Sequence, residues 1–395
     1  MADPWLSIIG LNEDGLAGLS SDSRAALDRA EAIFGGPRHL ELVAAGARGR
    51  PWPVPFSVDP VLEWRGRPVV VLASGDPFWF GAGGSLLPHL AKGDWRSFPA
   101  PSTFALAANH LGWRLESLRC FGLHAAPFER LLPALHRGAK VLCLLRDGQS
   151  PAELAAWLCQ RGGGETRLHV LERLGGPRQR CRSTKADGFA LTDITAPVTV
   201  GLEVATAIGL PATPGLPDDA FAHDGQITKR PVRALTLCAL SPRPEEVLWD
   251  IGAGSGSISV EWCLAGGRAV AMEAKPARVT NIRENIARFG LGQQMQVICA
   301  EVAAPALPAD LPPPDAVFIG GGGSEALVQS LFDRLPTGTR LVMNGVTLET
   351  EMLLAKWHAA KGGTLLRVEL ANAAPLGGMR GWVPARPVVQ WSVVL

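Results

Sequence analysis

The chain has 395 residues, which at about 100 to 200 residues per domain corresponds to two or three domains. Hydrophobic residues make up 47% and charged residues 19%, a composition that supplies buried cores and excludes an intrinsically disordered chain. The formal net charge of +1 lacks the positive excess of nucleic-acid binders, so we expect no nucleic-acid partner.

The first half of the chain alternates buried strands with helices. Apolar runs predict strands over 5–11, 68–73, 139–145, 184–193 and 198–204. Helical spacing is found over 23–34, 83–90, 102–111 and 151–159. This alternation predicts an α/β unit built on a mainly parallel sheet.

A run rich in proline and glycine follows the first half, and a complete new α/β pattern begins after it. We therefore predict a first domain over 1–210, a linker over 211–221 and a second domain over 222–395.

The second half has a regular pattern of strands and helices. Strands are expected over 246–251, 268–272, 296–299, 316–319 and 339–344. Helices are expected over 231–240, 257–265, 276–289, 324–335 and 348–361. The segments 364–370 and 387–394 would form a terminal hairpin. Five parallel strands closed by antiparallel edge strands are typical of a doubly wound, Rossmann-like fold.

The clearest sign of a ligand site is the segment 247–257, Val-Leu-Trp-Asp-Ile-Gly-Ala-Gly-Ser-Gly-Ser. An apolar strand ends in a glycine-rich turn, and a helix begins directly after it at Ser257. Its three glycines allow the backbone to approach a ligand closely: Gly252, Gly254 and Gly256. Glu273 ends the next strand, where a carboxylate can accept hydrogen bonds from both ribose hydroxyls of a nucleoside.

Two cofactors could use this loop. A dinucleotide site has the spacing G-x-G-x-x-G, whereas this loop has G-x-G-x-G with Ser257 at the third dinucleotide position. Asp250 at the strand end would repel a pyrophosphate. S-adenosylmethionine has no phosphate, so the acidic pair Asp250 and Glu273 favours this sulfonium cofactor over NAD.

Further candidate contacts follow the neighbouring strands. Four consecutive glycines beginning at Gly320 form an open floor at the end of the fourth strand, where ligands of such sheets bind. Glu301 follows the third strand and could hold an adenine amino group. The chain has no Asn/Asp-Pro-Pro-aromatic motif after the fourth strand, which argues against methylation of base amino groups.

Three loop motifs of the first half also lie at predicted strand ends: Gly10, Gly75-Asp76-Pro77 and Ser102-Thr103. Together they resemble the tetrapyrrole methylase family, in which such loops line a cleft for S-adenosylmethionine. The resemblance therefore implies an α/β cofactor domain with these residues as contacts. Phe78 and Trp79, two bulky aromatic residues after the Gly-Asp-Pro turn, depart from the family pattern and affect the shape of the cleft.

The second half resembles the precorrin C-15 methyltransferase domain, a class I S-adenosylmethionine methyltransferase. The resemblance rests on the segments 225–233, 250–257, 344–349 and 375–380. The substrate of that family carries many carboxylates, so cationic side chains should meet them: Lys229, Arg230, Arg233 and Arg380. Three neutral side chains are expected beside substrate or cofactor: Gln226, Thr228 and Asn344. His223 is a candidate acid or base.

The order of the two domains resembles the decarboxylating precorrin-6Y C(5,15)-methyltransferase family. The resemblance implies methylation at C-5 by the first domain. It also implies methylation at C-15 with loss of the ring C acetate carboxyl group by the second. It further implies S-adenosylmethionine as cofactor, S-adenosylhomocysteine as its product and a homo-oligomer formed by the second domain. The alternatives are a nicotinamide-dependent oxidoreductase and another small-molecule or RNA methyltransferase whose first domain is an inactive binding module.

The spacing of the cysteines and the character of the N-terminal residues bear on the cellular location and on metal binding. The seven cysteines form no Cys-x-x-Cys pair, which argues against a metal site or a dithiol redox motif. Scattered thiols are typical of a reduced cytoplasmic protein. We expect no signal segment at the N-terminus, and no apolar run reaches the roughly 18 residues that span a bilayer. These features predict a cytoplasmic protein without a metal or a membrane partner.

Overall fold

The computed structural model describes residues 4–301 and 311–395. The chain divides into two compact units, Met1–Gly209 and Leu210–Leu395. The first three residues, to which our expectation of no signal segment applies, lie outside the described part. Within that part, no helix is long and apolar enough to cross a membrane.

The first unit begins with a parallel sheet. Its strands are β1 (Leu6–Leu11), β2 (Ala32–Gly35), β3 (Gly49–Pro51), β4 (Val69–Ser74) and β5 (Trp95–Phe98). Their order is β3-β2-β4-β1-β5, and every pairing is parallel. The central strands are apolar on both faces because core clusters lie on either side of the sheet, as expected for a parallel arrangement.

The second sheet of this unit is mixed. Its strands are β6 (Arg119–Gly122), β7 (Lys140–Leu145), β8 (Arg167–Glu172), β9 (Arg180–Lys185) and β10 (Val198–Glu203). In the order β6-β7-β10-β8-β9, only β6 and β7 pair in parallel. The expectation of a mainly parallel sheet is therefore confirmed for the first sheet and wrong for the second.

Six α-helices belong to the described part of the first unit. They are α1 (Ser21–Arg29), α2 (Pro37–Leu42), α3 (Asp59–Leu62), α4 (Ala82–Leu86), α5 (Thr103–Leu111) and α6 (Ser150–Gln160). Ser102 caps α5 because its hydroxyl accepts a hydrogen bond from the Ala105 amide at 3.0 Å. The predicted helix over 23–34 is wrong beyond Arg29: Ala30 is extended and the apolar residues after it form β2.

The second unit is a seven-stranded sheet with helices between its strands. The strands are β11 (Val247–Ile251), β12 (Arg268–Glu273), β13 (Met295–Cys299), β14 (Ala316–Ile319), β15 (Arg340–Gly345), β16 (Thr364–Val368) and β19 (Val388–Val394), with β17 (Ala371–Leu376) and β18 (Met379–Pro384) as a separate hairpin. The helices are α7 (Arg230–Leu240), α8 (Ser257–Leu264), α9 (Pro276–Arg288), α10 (Glu325–Arg334) and α11 (Leu348–Lys361).

The strand order of this sheet is β13-β12-β11-β14-β15-β19-β16. The first five strands are parallel and β19 is antiparallel to both neighbours, which confirms the predicted doubly wound plan. The predicted pairing of the last two segments is also present, but the β17–β18 hairpin lies between them in the chain. Two core clusters cover the two faces and bury Trp262 and Trp391 completely.

The segment 211–221, predicted as a linker, lies within the second unit. Leu216 and Phe221 are buried in its core. The amides of Gly215 and Leu216 donate to the Glu261 carboxylate at 2.5 and 3.0 Å, so the segment is tied to α8. The segment 211–221 is therefore a strap packed against the second unit and is not a free connection.

Candidate cofactor and substrate sites

A cavity of about 850 Å³ opens at the carboxyl ends of the parallel strands in the second unit. This is the edge where open α/β sheets bind ligands, and the volume lies within the usual range for ligand pockets, roughly 300–1,000 Å³. Nine residues predicted as site residues line it: Gln226, Thr228, Lys229, Gly252, Gly254, Glu273, Glu301, Gly320 and Asn344. The fold thus brings together side chains and loops that are far apart in the sequence.

Two glycines of the loop after β11 need their lack of a side chain for different reasons. Gly252 has φ +69°, and a Cβ atom there would lie 2.5 Å from the Gly321 carbonyl oxygen, so it allows close contact between the β11 and β14 loops. Gly254 has φ +61°, and its nearest neighbour would be the Gln226 carbonyl oxygen at 3.7 Å. Gly254 therefore keeps the cavity wall free of a side chain.

Glu273 connects the glycine loop to the cavity. Its carboxylate is 5% exposed and accepts hydrogen bonds from the amides of Gly254 and Lys275, each at 2.9 Å. Each carboxylate oxygen keeps a free lone pair after these bonds. A fixed carboxylate in the wall at the end of β12 is well placed for two ribose hydroxyls, and Glu301 lies exposed at the end of the adjacent β13.

Three residues predicted to contact the cofactor lie behind the wall. Asp250 is 1% exposed and accepts a hydrogen bond from the Ser259 hydroxyl at 2.6 Å. Burial, with a smaller contribution from Glu273, raises its pKa to about 6. Gly256 packs against Ile282 in the core, and Ser257 is buried at the start of α8. None of the three lines the cavity, and their packing supports the loop, while their predicted contact with the cofactor stays a prediction.

Basic side chains are present in the cavity wall. Lys229 lines it with its side chain 62% exposed, and its nearest carboxylate oxygen, on Asp218, is 3.8 Å away. Arg386 also lines the cavity, and no carboxylate of residues 4–301 and 311–395 pairs with it. Sequence reasoning missed Arg386 because it follows the hairpin that the sequence did not predict. Arg278 is a third lining cation, paired with Asp224 at 2.8 Å.

Four other candidates do not line this cavity. Arg233 is fully buried, donates to Glu261 at 2.6 Å and Asp218 at 3.0 Å, and so holds the strap and cannot meet a substrate. The remaining three are Arg230 at the start of α7, the exposed Arg380 on β18, and His223, whose ring accepts from the Gly225 amide.

The first unit has its own cavity of about 460 Å³. Ser102 and Thr103 line it as the sequence predicted, together with Trp79, Phe80 and His39. Burial and the neighbouring Arg38 lower the pKa of His39 to about 3, so its imidazole is neutral at physiological pH.

The other predicted residues of this unit shape the cavity but do not line it. A Cβ atom on Gly10 would collide with the Gly75 carbonyl oxygen, so the two glycines allow β1 and the loop after β4 to touch. The Asp76 carboxylate accepts a hydrogen bond from the Phe78 amide at 2.9 Å and closes the turn that contains Pro77. Gly10, Gly75 and Asp76 therefore hold backbone geometry, and the cofactor contacts predicted for them and for Pro77 stay predictions.

Of the two aromatic residues that depart from the family pattern, Trp79 lines this cavity beside Phe80, whereas Phe78 does not line it. Trp79 packs on Phe104 with ring centroids 4.9 Å apart. Phe80 has φ 57°, a costly conformation for a bulky residue, and its half-exposed ring lies against Gly122. The rings of Trp79 and Phe80 thus form part of the cavity wall.

Comparisons with known proteins agree with this architecture. Residues 6–190 match the model of tetrapyrrole (corrin/porphyrin) methylases, and residues 219–395 match that of the precorrin methyltransferase domain. A precorrin-6Y C(5,15)-methyltransferase (decarboxylating) from Sinorhizobium sp. is 46% identical, over 99% of this chain and 97% of that protein. A Mycobacterium tuberculosis protein of the same name is 37% identical, over 98% of each chain.

Among solved structures, the C-terminal domain of precorrin-6Y C5,15-methyltransferase from Rhodobacter capsulatus is 57% identical, with a TM-score of 0.46. It covers 47% of this chain and 100% of its own. The full-length relatives confirm the resemblance found in the sequence. The chain belongs to the family of decarboxylating precorrin-6Y C(5,15)-methyltransferases.

Proposed function

We propose that this chain uses S-adenosyl-L-methionine to methylate precorrin-6Y (precorrin-6B) at C-5 and C-15. In the same proposal it removes the carboxyl group of the ring C acetate, giving precorrin-8x in cobalamin biosynthesis. One observation carries the proposal: a single cavity holds the loop-bound carboxylate of Glu273 and, in the same wall, the cations Lys229 and Arg386. The carboxylate suits a cofactor that is a sulfonium nucleoside. The neighbouring basic side chains suit a substrate that carries many carboxylates.

The two reactions are divided between the units. We assign C-5 methylation to the first domain, over 1–210, and C-15 methylation with decarboxylation to the second domain, over 222–395. The separate cavities and the match of each half to a different family model support this division.

In the second unit, Glu273 holds the ribose of the cofactor and Glu301 its adenine amino group. Gly252, Gly254 and Gly320 let the backbone approach it, while Gln226 and Thr228, which line the same cavity, add further contacts. In the first unit, the loops with Ser102 and Thr103 hold the second cofactor molecule. S-adenosylmethionine supplies an electrophilic methyl group and leaves as S-adenosylhomocysteine.

The residues in the wall act by positioning. Transfer to an electron-rich meso carbon needs the carbon about 3 to 3.5 Å from the methyl group, in line with sulfur. Lys229 and Arg386 bind substrate carboxylates and so set that distance. For decarboxylation, the bond between the acetate carbon and its carboxyl carbon breaks, carbon dioxide leaves, and the electron pair enters the conjugated macrocycle before a proton replaces it.

The second unit also supports a homo-oligomer. Its β17–β18 hairpin exposes Leu376, Met379 and Trp382 by 70%, 80% and 76%. Exposed apolar groups of this size are typical of association surfaces. We further propose a cytoplasmic location, which the free state of all seven cysteines supports.

Incubation of the full chain with precorrin-6Y and deuterated-methyl S-adenosylmethionine tests the function. We expect a product with two labelled methyl groups and one carboxyl group fewer. A mass spectrum without label incorporation would refute the proposed activity, whereas NADH-dependent reduction of the substrate would favour the oxidoreductase alternative.

A further inference from the structure

A buried polar cluster stands behind the substrate side of the cavity in the second unit. It consists of Thr236 on α7, Asn344 on β15 and Gln390 on β19. Thr236 is 0% exposed and Gln390 4%, whereas Asn344 is partly buried and lines the cavity. None of the catalytic or cofactor assignments above uses Thr236 or Gln390.

In this cluster, the donor and the acceptor of each hydrogen bond are determined. The Thr236 hydroxyl donates its proton to the Val232 carbonyl oxygen at 2.8 Å, so its oxygen can only accept from other partners. It accepts from Asn344 Nδ2 at 2.9 Å and from Gln390 Nε2 at 3.2 Å. Gln390 Nε2 also donates to Asn344 Oδ1 at 3.0 Å. A reversed Asn344 amide would place oxygen against the Thr236 oxygen and nitrogen against the Gln390 nitrogen.

These hydrogen bonds hold the Asn344 side-chain amide in one orientation and leave one donor and one acceptor for another partner. One N–H remains on its Nδ2 atom, and one lone pair remains on Oδ1. Buried amides without such a network can rotate by half a turn at little cost. Here rotation would break two hydrogen bonds in a largely dry environment, which is costly because unmatched buried polar groups lose their solvation.

Asn344 lies on the substrate side of the site. Glu273 ends β12 and Asn344 lies near the end of β15, three strand positions away in the order β12-β11-β14-β15. At a strand spacing of 4.7–4.9 Å, that separation is about 14 Å. In the cofactor, the ribose hydroxyls and the transferable methyl group are only a few bonds apart. A side chain this far from Glu273 therefore faces the acceptor of the methyl group.

We propose that Thr236 and Gln390 are positioning residues that fix the Asn344 amide in one orientation for hydrogen bonding to the tetrapyrrole substrate. The proposal rests on the proposed function of the second unit. The substrate offers both kinds of partner, carboxylates that accept and pyrrole N–H groups that donate. An amide fixed in one orientation can form its hydrogen bonds with such a substrate in one pose only. The orientation of the Asn344 amide therefore contributes to the selection of C-15 as the carbon that is methylated.

Gln390→Glu reverses the network while nearly preserving its shape. The ionised carboxylate only accepts, so the Asn344 amide turns its N–H₂ group toward it, and the Thr236 hydroxyl turns to donate. Burial raises the pKa of a carboxyl group at this position, so the assay is run at a pH high enough to ionise it. The Thr236 hydroxyl gives up its bond to the Val232 carbonyl oxygen and donates its single proton to Asn344 Oδ1, so its contact with the introduced carboxylate is left without a proton. The free N–H and the free lone pair of Asn344 exchange places. We expect KM for precorrin-6Y in the C-15 reaction to rise about 10- to 100-fold, the effect of a mismatched hydrogen bond to a charged group.

Three further measurements separate positioning from general damage. The Kd for S-adenosylhomocysteine should change less than about twofold. C-5 methylation should continue, so at precorrin-6Y concentrations below the raised KM the fraction of product with one added methyl group and an intact carboxyl group should increase. Thr236→Ser retains the hydroxyl and should behave as the natural chain. Thr236→Val removes the acceptor and should raise KM as Gln390→Glu does, which keeps the test valid if Gln390→Glu does not fold.

The outcomes also distinguish this proposal from the proposed function. If the natural chain does not methylate precorrin-6Y, the proposed function fails. If the natural chain does so and Gln390→Glu and Thr236→Val have unchanged KM, the positioning proposal alone fails. Equal losses of substrate and cofactor affinity in both variants would also overturn it, because they would indicate a purely structural role.

Discussion

Replacing Glu273 with glutamine removes the charge that we assign to ribose binding while nearly preserving the side-chain shape. The carboxylate accepts from the amides of Gly254 and Lys275 and keeps one lone pair per oxygen for a ligand. In Glu273→Gln, one position becomes an amide nitrogen that cannot accept, and the other loses its charge. A hydrogen bond to a charged group contributes about 1.5–3 kcal/mol, and one between neutral groups about 0.5–1.5 kcal/mol.

The combined loss for the cofactor is about 2–4 kcal/mol, or about 30- to 700-fold in Kd. Calorimetric titration of the full chain with S-adenosylhomocysteine measures this directly. We expect two binding events in the natural chain and a strong weakening of one of them in Glu273→Gln. Thermal unfolding of the same samples must show a folded protein, since one backbone amide also loses its acceptor.

Glu325→Gln is a matched control, because Glu325 lies in the first turn of α10 and pairs with the exposed Lys356. The control should bind both cofactor molecules with natural affinity. Two undiminished binding events in a folded Glu273→Gln sample would refute the assignment of this carboxylate to the cofactor.

Three further predictions follow from the same geometry. Gly252→Ala places a methyl group 2.5 Å from the Gly321 carbonyl oxygen and should lower the thermal midpoint strongly. Gly254→Ala has space, so it should cost only about 1–2 kcal/mol of stability in denaturant unfolding yet weaken cofactor binding. The stability of Asp250→Asn relative to the natural chain should increase as pH rises, by about 2 kcal/mol between pH 4 and 6.5. Arg386→Ala should raise KM for precorrin-6Y about three- to tenfold, with cofactor Kd unchanged in calorimetry.

The sign of the pH effect follows from the raised pKa of Asp250. Its folded-state pKa of about 6 lies above the ordinary 3.8, so the folded chain binds this proton more tightly. The resulting stabilisation is fully present below pH 3.8 and is lost as pH rises through 6. Asparagine stays neutral throughout, so a stability difference that does not vary with pH would contradict the burial of an ionisable Asp250.

Separate results would contradict the prediction for the two glycines and the prediction for Arg386. Equal thermal midpoints for Gly252→Ala and Gly254→Ala would show that the two glycines do not differ in packing. For Arg386, the control is Arg283→Ala, at an exposed position of α9 outside the cavity wall. Similar KM values for both arginine variants would remove Arg386 from the substrate site.

The sequence predicted the second sheet well because its strands are short apolar runs that end in glycine or an acidic residue. Those ends lie at one edge of a parallel sheet, which is why Gly252, Gly254, Glu273 and Gly320 meet in one cavity. The same pattern could not show which residue faces the ligand. Asp250 directly precedes the Ile251-Gly252 turn yet points away from the cavity, toward Ser259.

Other features escaped prediction for local reasons. The strand Ala32–Gly35 continues the apolar spacing of the helix before it, so periodicity could not separate the two. The β17–β18 hairpin exposes most of its apolar residues and therefore shows no buried alternation. Arg233 was expected to meet substrate because charge alone does not reveal a buried partner such as Glu261.

The central claim is that a sulfonium nucleoside binds at the carboxyl edge of the second unit's sheet, with its sugar held by Glu273. A crystal structure of the full chain soaked with S-adenosylhomocysteine tests this most directly. We expect electron density along the 252–254 loop, with both ribose hydroxyls within hydrogen-bonding distance of the Glu273 carboxylate. Density for the ligand elsewhere in the second unit, or a pyrophosphate group against this loop in crystals soaked with NAD, would contradict it.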